Sequence, residues 1–128
     1  MQTEPRPVLI LLSTDWCRFC HLQQGQVRKN TQFLAQQGDF YYIEFNAETK
    51  KDLVFKGEKY VYKTSGTSSG IHELAVKLGS GTKGISFPTW VLLDKNYQTV
   101  FRNEGVLSVA ALATVVKGIQ ELIQTKEL

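Results

Sequence analysis

The chain is poor in the features that would force a special architecture. Only two of its 128 residues are cysteines, so no network of disulfides holds it and a hydrophobic core must. Both thiols, Cys17 and Cys20, lie in the stretch STDWCRFCHLQ, and whatever they do they do together. No apolar run approaches the roughly 20 residues of a membrane-spanning helix, so no membrane span is expected in this chain. Like charges do not cluster. The 15 basic and 12 acidic residues are interspersed to a net +3, which leaves no basic patch for a nucleic acid or a membrane surface. The opening MQTEPRP lacks the charged start and apolar stretch of a secretory signal. Residues 1–6 are therefore expected to form a flexible tail, compatible with a leader already removed.

A content of 42% hydrophobic residues over this length suits one domain with a real core and is too little for two, so residues 1–128 are expected to form a single domain. PVLILLST, residues 7–14, is a continuous apolar run that suits a strand buried on both faces. From Cys17 to about Gln37 the composition favours a helix with a weak stripe at Cys20, Val27 and Leu34, ended by Gly38-Asp39. FYYIEFN, residues 40–46, reads as a second strand. LVFKGEKYVY, residues 53–62, predicts a hairpin around Lys56-Gly57-Glu58-Lys59, and TSGTSSG a loop. Ile71, Leu74, Ala75 and Leu78 mark a short helix ended by Gly79. TWVLLD and QTVFRN predict a hairpin turning at Lys95-Asn96. Ser108 caps a last helix whose core face is Leu112, Val115, Val116, Ile119, Leu122 and Ile123. A strand, a helix and another strand at this spacing imply a parallel pair, which the later hairpin extends antiparallel.

The spacing of Cys17 and Cys20 with His21 behind them permits a redox dithiol, a c-type haem attachment site, or half of a zinc site. A dithiol needs one accessible, acidic thiol and a second one close behind it. A strand running into a helix start supplies both, because free N–H groups and the helix dipole stabilise a thiolate at the first cysteine. Cys17 is placed as the nucleophile and Cys20, one turn later, as the resolving thiol. Arg18 adds positive charge beside Cys17, and His21 does so when protonated.

At these residues the sequence resembles a known family. Trp16-Cys17-Arg18-Phe19-Cys20 after a buried strand is similar to the WCxxC of thioredoxin-fold proteins. Phe87-Pro88-Thr89 precedes an apolar strand where that family carries its cis-proline. NEGVLS, residues 103–108, resembles the link into its last helix, and Gly25 falls where many members place a proline. The resemblance covers roughly residues 7–124. It implies an α/β thioredoxin fold, a central mixed sheet flanked by helices, with a hairpin and loop at residues 50–70 inserted between the second core strand and the cis-proline loop. It also implies that Phe87 offers its backbone to a substrate and that Pro88 packs against Cys17 and keeps metal ions off the thiols. Trp16, Arg18, Phe19, Phe87, Pro88 and Thr89 then form the substrate-binding rim.

Two departures from that family stand out. Where many thioredoxins bury an aspartate beneath the second cysteine, this chain has Leu11, so Glu44 on the neighbouring strand is the candidate proton acceptor; a carboxylate in a dry site has the raised pKa a base needs. The plain alternative is a solvated Glu44 at a strand edge. The second departure is the length between Asn46 and Pro88, either a partner-binding surface or a decorative addition.

For the haem reading, a second axial ligand must come from Met1 or His72, and the strands and proline motif have no role there. For zinc, the four ligands would be Cys17, Cys20, His21 and His72, but adjacent Cys20 and His21 diverge on a helix. GSGTKG, residues 79–84, has the reverse context of a dinucleotide-binding loop. The expectation is therefore a thiol:disulfide oxidoreductase with no cofactor and no metal, acting on protein substrates that carry disulfides or thiols and served by an upstream redox partner. The alternative of another class is a binding module that keeps the fold without redox turnover. The long connection and the Arg18-Phe19 pair resemble bacterial envelope proteins of this type, with the cytoplasm as the other location.

Overall fold

The computed structural model describes residues 6–35, 38–64, 70–81 and 84–127. Its elements are β1 (Val8–Ser13), α1 (Arg18–Lys29), α2 (Thr31–Ala35), β2 (Tyr41–Asn46), β3 (Leu53–Phe55), β4 (Glu58–Tyr60), β5 (Tyr62–Thr64), β6 (Gly70–His72), α3 (Glu73–Gly79), β7 (Thr89–Leu93), β8 (Thr99–Glu104) and α4 (Val109–Glu127). Expectations about the tail before Arg6, and about the loop residues 65–69, lie outside the described residues.

The central sheet has the order β2-β1-β7-β8. β1 runs parallel to β2 and antiparallel to β7, and β7 runs antiparallel to β8. Every residue of β1 is buried because core lies on both of its faces. Leu9 and Leu11 join Tyr42, Trp90, Leu92 and the apolar faces of α1, α2 and α4 on one side. Val8, Ile10 and Leu12 join Phe45, Val91, Leu93 and α3 on the other, where Leu53 and Phe55 of β3 and Tyr60 of β4 pack against them. The continuous apolar run is the sequence mark of a strand with two dry faces.

Four local features depart from the sequence reading. The helix expected over 17–37 is two helices. α1 stops at Asn30, whose extended backbone (φ −85°, ψ 101°) breaks the spiral and whose Oδ1 accepts from the Phe33 N–H at 3.0 Å to start α2. A free asparagine oxygen competes well for the first N–H groups of a new helix. The break shifts the helical phase, so Phe33 is buried and Leu34 exposed.

The hairpin of β3 and β4 turns on Lys56-Gly57 alone, with φ 53° and 80°. Two successive left-handed residues make the tight turn that matches strand twist, so β4 begins at Glu58 rather than at Tyr60. Ile71 lies in β6, which pairs with β5; α3 begins only at Glu73 because His72 caps it. In the last hairpin Asp94 Oδ1 accepts from the N–H groups of Asn96 and Gln98, at 2.8 and 3.0 Å, which lengthens the turn and delays β8 to Thr99. The Ser108 cap appears as expected, its Oγ accepting from the Ala111 N–H at 3.1 Å.

Candidate functional site

The end of β1 passes through Thr14-Asp15-Trp16 into α1, and Cys17 is the N-cap of that helix. Cys17 and Cys20 form a disulfide with their Cα atoms 5.2 Å apart. The Cys20 N–H points at the Cys17 Sγ, 3.1 Å away, so a first-turn donor already faces the atom that carries charge when the bond opens. The first turn of α1 holds no acidic side chain, while Arg28 and Lys29 occupy the last turn. That arrangement leaves the positive end of the helix free for a thiolate. Cys17 keeps 5% exposure and Cys20 none. Of the two cysteines, Cys17 is the one that reaches the surface.

The Phe87–Pro88 peptide bond is cis, as the FPT motif implied. The Trp16 and Phe87 rings meet edge to face at 6.3 Å between centroids, which brings the disulfide loop and the proline loop together. Pro88 is buried and Phe87 half-buried. Thr89 is fully buried, paired in the sheet with Leu12 and Glu104, and donates its hydroxyl to the Ser86 carbonyl at 2.6 Å, so its side chain is not open to a partner. Arg18 is exposed. Trp16 and Phe19 stand 68% and 63% exposed, with Leu22 beside them on α1 at 51%. These side chains form an exposed apolar rim around one buried disulfide.

Three polar contacts hold the rim and its approach in place. The Trp16 indole donates to the Glu48 carboxylate at 3.0 Å. Asn46 Nδ2 donates to Asp15 Oδ1 at 3.3 Å. His21 contacts the Asp15 carbonyl through Nε2 at 2.7 Å. An apolar cavity of about 460 Å³ lies elsewhere, between β2, β3 and α3, and none of the rim residues lines it.

Glu44 stands opposite Leu11 in the β1–β2 register, on the same face of the sheet. Its carboxylate pairs with Arg28 at 3.0 Å and accepts from the Tyr42 hydroxyl at 2.8 Å. The side chain is about a quarter exposed, at 24%. Burial first, then the bond to Glu44 and its charge, push the Tyr42 phenol far above the ordinary tyrosine value.

The four side chains of the zinc reading are not brought together. Both cysteines are in the disulfide, and His72 is fully buried with its ring atoms given to the Leu74 N–H at 3.1 Å and the Lys51 carbonyl at 2.8 Å. Among the described residues no group of three or more His, Cys, Asp or Glu stands close enough to hold a metal ion. Sequence reasoning missed one buried residue near the disulfide, Gln23, 1% exposed on the turn after Cys20. Its signal was a polar residue between Cys20 and Val27 on an apolar stripe.

No family model and no curated protein matches the sequence. Solved structures do match the fold. A chloroplastic thioredoxin z superposes with a TM-score of 0.59 at 15% identity, over 94% of this chain and 83% of that one. Thioredoxin-2, described as a component of the malaria parasite protein secretion machinery, gives 0.57 at 18% identity, over 88% and 82%. A mutant thioredoxin from Halobacterium salinarum gives 0.57 at 18%, over 92% and 78%. The chain has the thioredoxin fold.

Proposed function

We propose that this protein is a thiol:disulfide oxidoreductase acting on protein substrates, with Cys17 as the nucleophile and Cys20 as the resolving thiol. The observation that carries this reading is the Cys17–Cys20 disulfide at the N-terminus of α1, with the Cys20 N–H on the Cys17 sulfur. In the reducing direction the Cys17 thiolate attacks a substrate disulfide and one substrate sulfur leaves as a thiolate. Cys20 then attacks Cys17, the mixed disulfide breaks, and the second substrate sulfur leaves with the electron pair. The protein ends oxidised and the substrate reduced; an upstream redox partner restores the dithiol.

Trp16, Phe19 and Arg18 on one side, and Phe87 on the other with the buried Pro88 and Thr89 fixing it from behind, form the docking site in this reading. Phe87 offers its backbone beside the disulfide. Glu44 is the proposed proton acceptor for Cys20, a role it shares with its bonds to Arg28 and Tyr42.

The test is the redox equilibrium of the pair, read by alkylation and intact mass in graded thiol/disulfide buffers. A single two-electron transition is expected, and its midpoint gives the working direction, since reductants lie near about −270 mV and strong oxidants near about −120 mV. Cys20→Ser is expected to accumulate a mixed disulfide on Cys17, and Cys17→Ser to form none. Thiols that do not cycle, with partner binding that survives Cys17→Ser, would make the protein a binding module instead.

A further inference from the structure

Gln23 is buried at 1% exposure within the core shared by α1, α4 and the sheet, and its amide is fully used. Oε1 accepts from the Trp90 indole at 3.0 Å and from the Leu107 N–H at 2.6 Å. Nε2 donates to the Leu107 carbonyl at 3.1 Å and to Gln26 Oε1 at 3.4 Å. A side-chain amide has two acceptor lone pairs and two N–H donors, and this one spends all four. Taking such a group out of water is costly unless every site is satisfied, and an apolar residue fills a core position at lower cost.

The partners of that amide say where the brace acts. Gln23 sits one helical turn beyond Cys20. Trp90 lies two residues beyond Pro88 on β7. Leu107 belongs to the link into α4, and Gly105 in that link donates its N–H to the Pro88 carbonyl at 2.7 Å. One side chain thus joins the helix that carries the resolving thiol to the strand and the link that fix the proline loop.

We infer that Gln23 is a positioning residue for the second half of thiol exchange, holding Cys20 in line with the mixed disulfide on Cys17. The inference rests on the oxidoreductase reading. With a partner bonded to Cys17 and lying along Phe87, the Cys20 thiolate must approach the Cys17 sulfur while the bond from Cys17 to the partner sulfur opens; the partner leaves as a thiolate and the Cys17–Cys20 bond forms. Both reacting sulfurs belong to α1, but the leaving sulfur is held by the proline loop. A shift of the helix against β7 therefore misaligns attack and departure, and a displacement of about 1 Å costs on the order of a hundredfold in rate.

The test uses the full chain, with oxidised glutathione as the probe. In Gln23→Met the Cys17–glutathione disulfide, followed by acid quench and intact mass, is expected to live about tenfold longer or more than in the wild type. In a Cys20→Ser background the rate at which Cys17 attacks glutathione disulfide is expected to stay within about twofold. The defect should be constant from about pH 6 to about pH 9, because an amide does not titrate there. Trp90→Phe removes one of the four bonds and should give a smaller lengthening. It also decides the matter if Gln23→Met does not fold. A folded variant with a wild-type lifetime, or one that slows both steps equally, overturns the inference while the wild type still cycles. A wild type that forms no mixed disulfide overturns the oxidoreductase reading and this inference with it.

Discussion

The Trp16 indole is held by the Glu48 carboxylate at 3.0 Å, so the aromatic wall beside the disulfide is fixed from the loop after β2. Glu48 is in turn positioned by the bond from its own N–H to Asn46 Oδ1 at 2.9 Å. Glu48→Ala is expected to raise the KM for a disulfide-bonded protein substrate about fivefold, the effect of roughly 1 kcal/mol for one partly solvated hydrogen bond. The rate with oxidised glutathione, which is too small to span from the proline loop to the Trp16 indole, should not change. An unchanged protein KM would mean that Phe87 alone orients the indole.

His72 joins β6, α3 and the loop before β3. It caps α3 at the Leu74 N–H and meets the Lys51 carbonyl, and its ring packs edge-on against Phe45 at 5.7 Å. His72→Ala is expected to lower stability by about 2–4 kcal/mol, combining a lost cap with a buried cavity and an orphaned carbonyl. His72→Asn keeps a capping oxygen but does not reach Lys51, and should recover about 1 kcal/mol of this. Urea midpoints measure both; equal losses would assign the whole effect to the Lys51 tie.

Much of this architecture was legible in the sequence because it rests on patterns that one segment carries alone. The run from Val8 to Leu12 is apolar at every position because both sheet faces are dry. The pattern of Leu112, Val116 and Ile119 places α4 on the core. Cys17 and Pro88 were legible through their motifs. The split at Asn30 was not, since whether an asparagine continues a helix or caps a new one depends on what Phe33 packs against. The role of Gln23 was hidden for a similar reason, although its place on the Cys20–Val27 stripe marked it. Its partners Trp90 and Leu107 are distant in the chain, and a glutamine without them belongs on the surface. His72 looked like an ordinary residue in a first helical turn; its burial follows from Lys51 and Phe45, which no local pattern connects to it.

Gly79 closes α3 against β1. A Cβ at this position would collide with the Leu12 side chain and press on Ile85, whose Cδ1 would stand 3.2 Å away. Leu12 is fully buried, so its methyl can yield only by displacing packed neighbours. Gly79→Ala is expected to destabilise the fold by about 1–3 kcal/mol through overpacking, despite the better helix propensity of alanine. A urea midpoint at or above the wild-type value would show that Leu12 repacks freely.

Tyr42 gives the fold an alkaline limit. Its phenol is held far above the ordinary value by burial first and by Glu44 second, so the folded chain keeps a proton that the unfolded chain releases near about pH 10. The folded state then binds more protons than the unfolded one, and stability falls as pH rises. This share of stability is complete below about pH 10 and is lost progressively above it. Tyr42→Phe should flatten the fall relative to wild type, in urea midpoints measured on both sides of that pH. An identical slope in both proteins would remove Tyr42 from the alkaline transition.

Glu44 offers the sharpest contrast with Gln23, because both are assigned to the same step for different physical reasons. β1 carries no acid, and Glu44 is the carboxylate opposite Leu11 in register. If Glu44 takes the Cys20 proton, Glu44→Gln should prolong the mixed disulfide about a hundredfold near neutral pH, the usual scale for a lost general base. The defect should shrink as pH rises, because solvent then deprotonates Cys20 without help. The glutamine carbonyl oxygen can still accept from Arg28 while its NH2 donates to the Tyr42 hydroxyl oxygen, so folding should survive. A lifetime in Glu44→Gln equal to wild type at neutral pH would leave Glu44 as a structural partner of Arg28 and Tyr42 only. The Gln23→Met defect, by contrast, arises from geometry and should not move with pH. The two profiles measured on one probe therefore separate proton transfer from alignment.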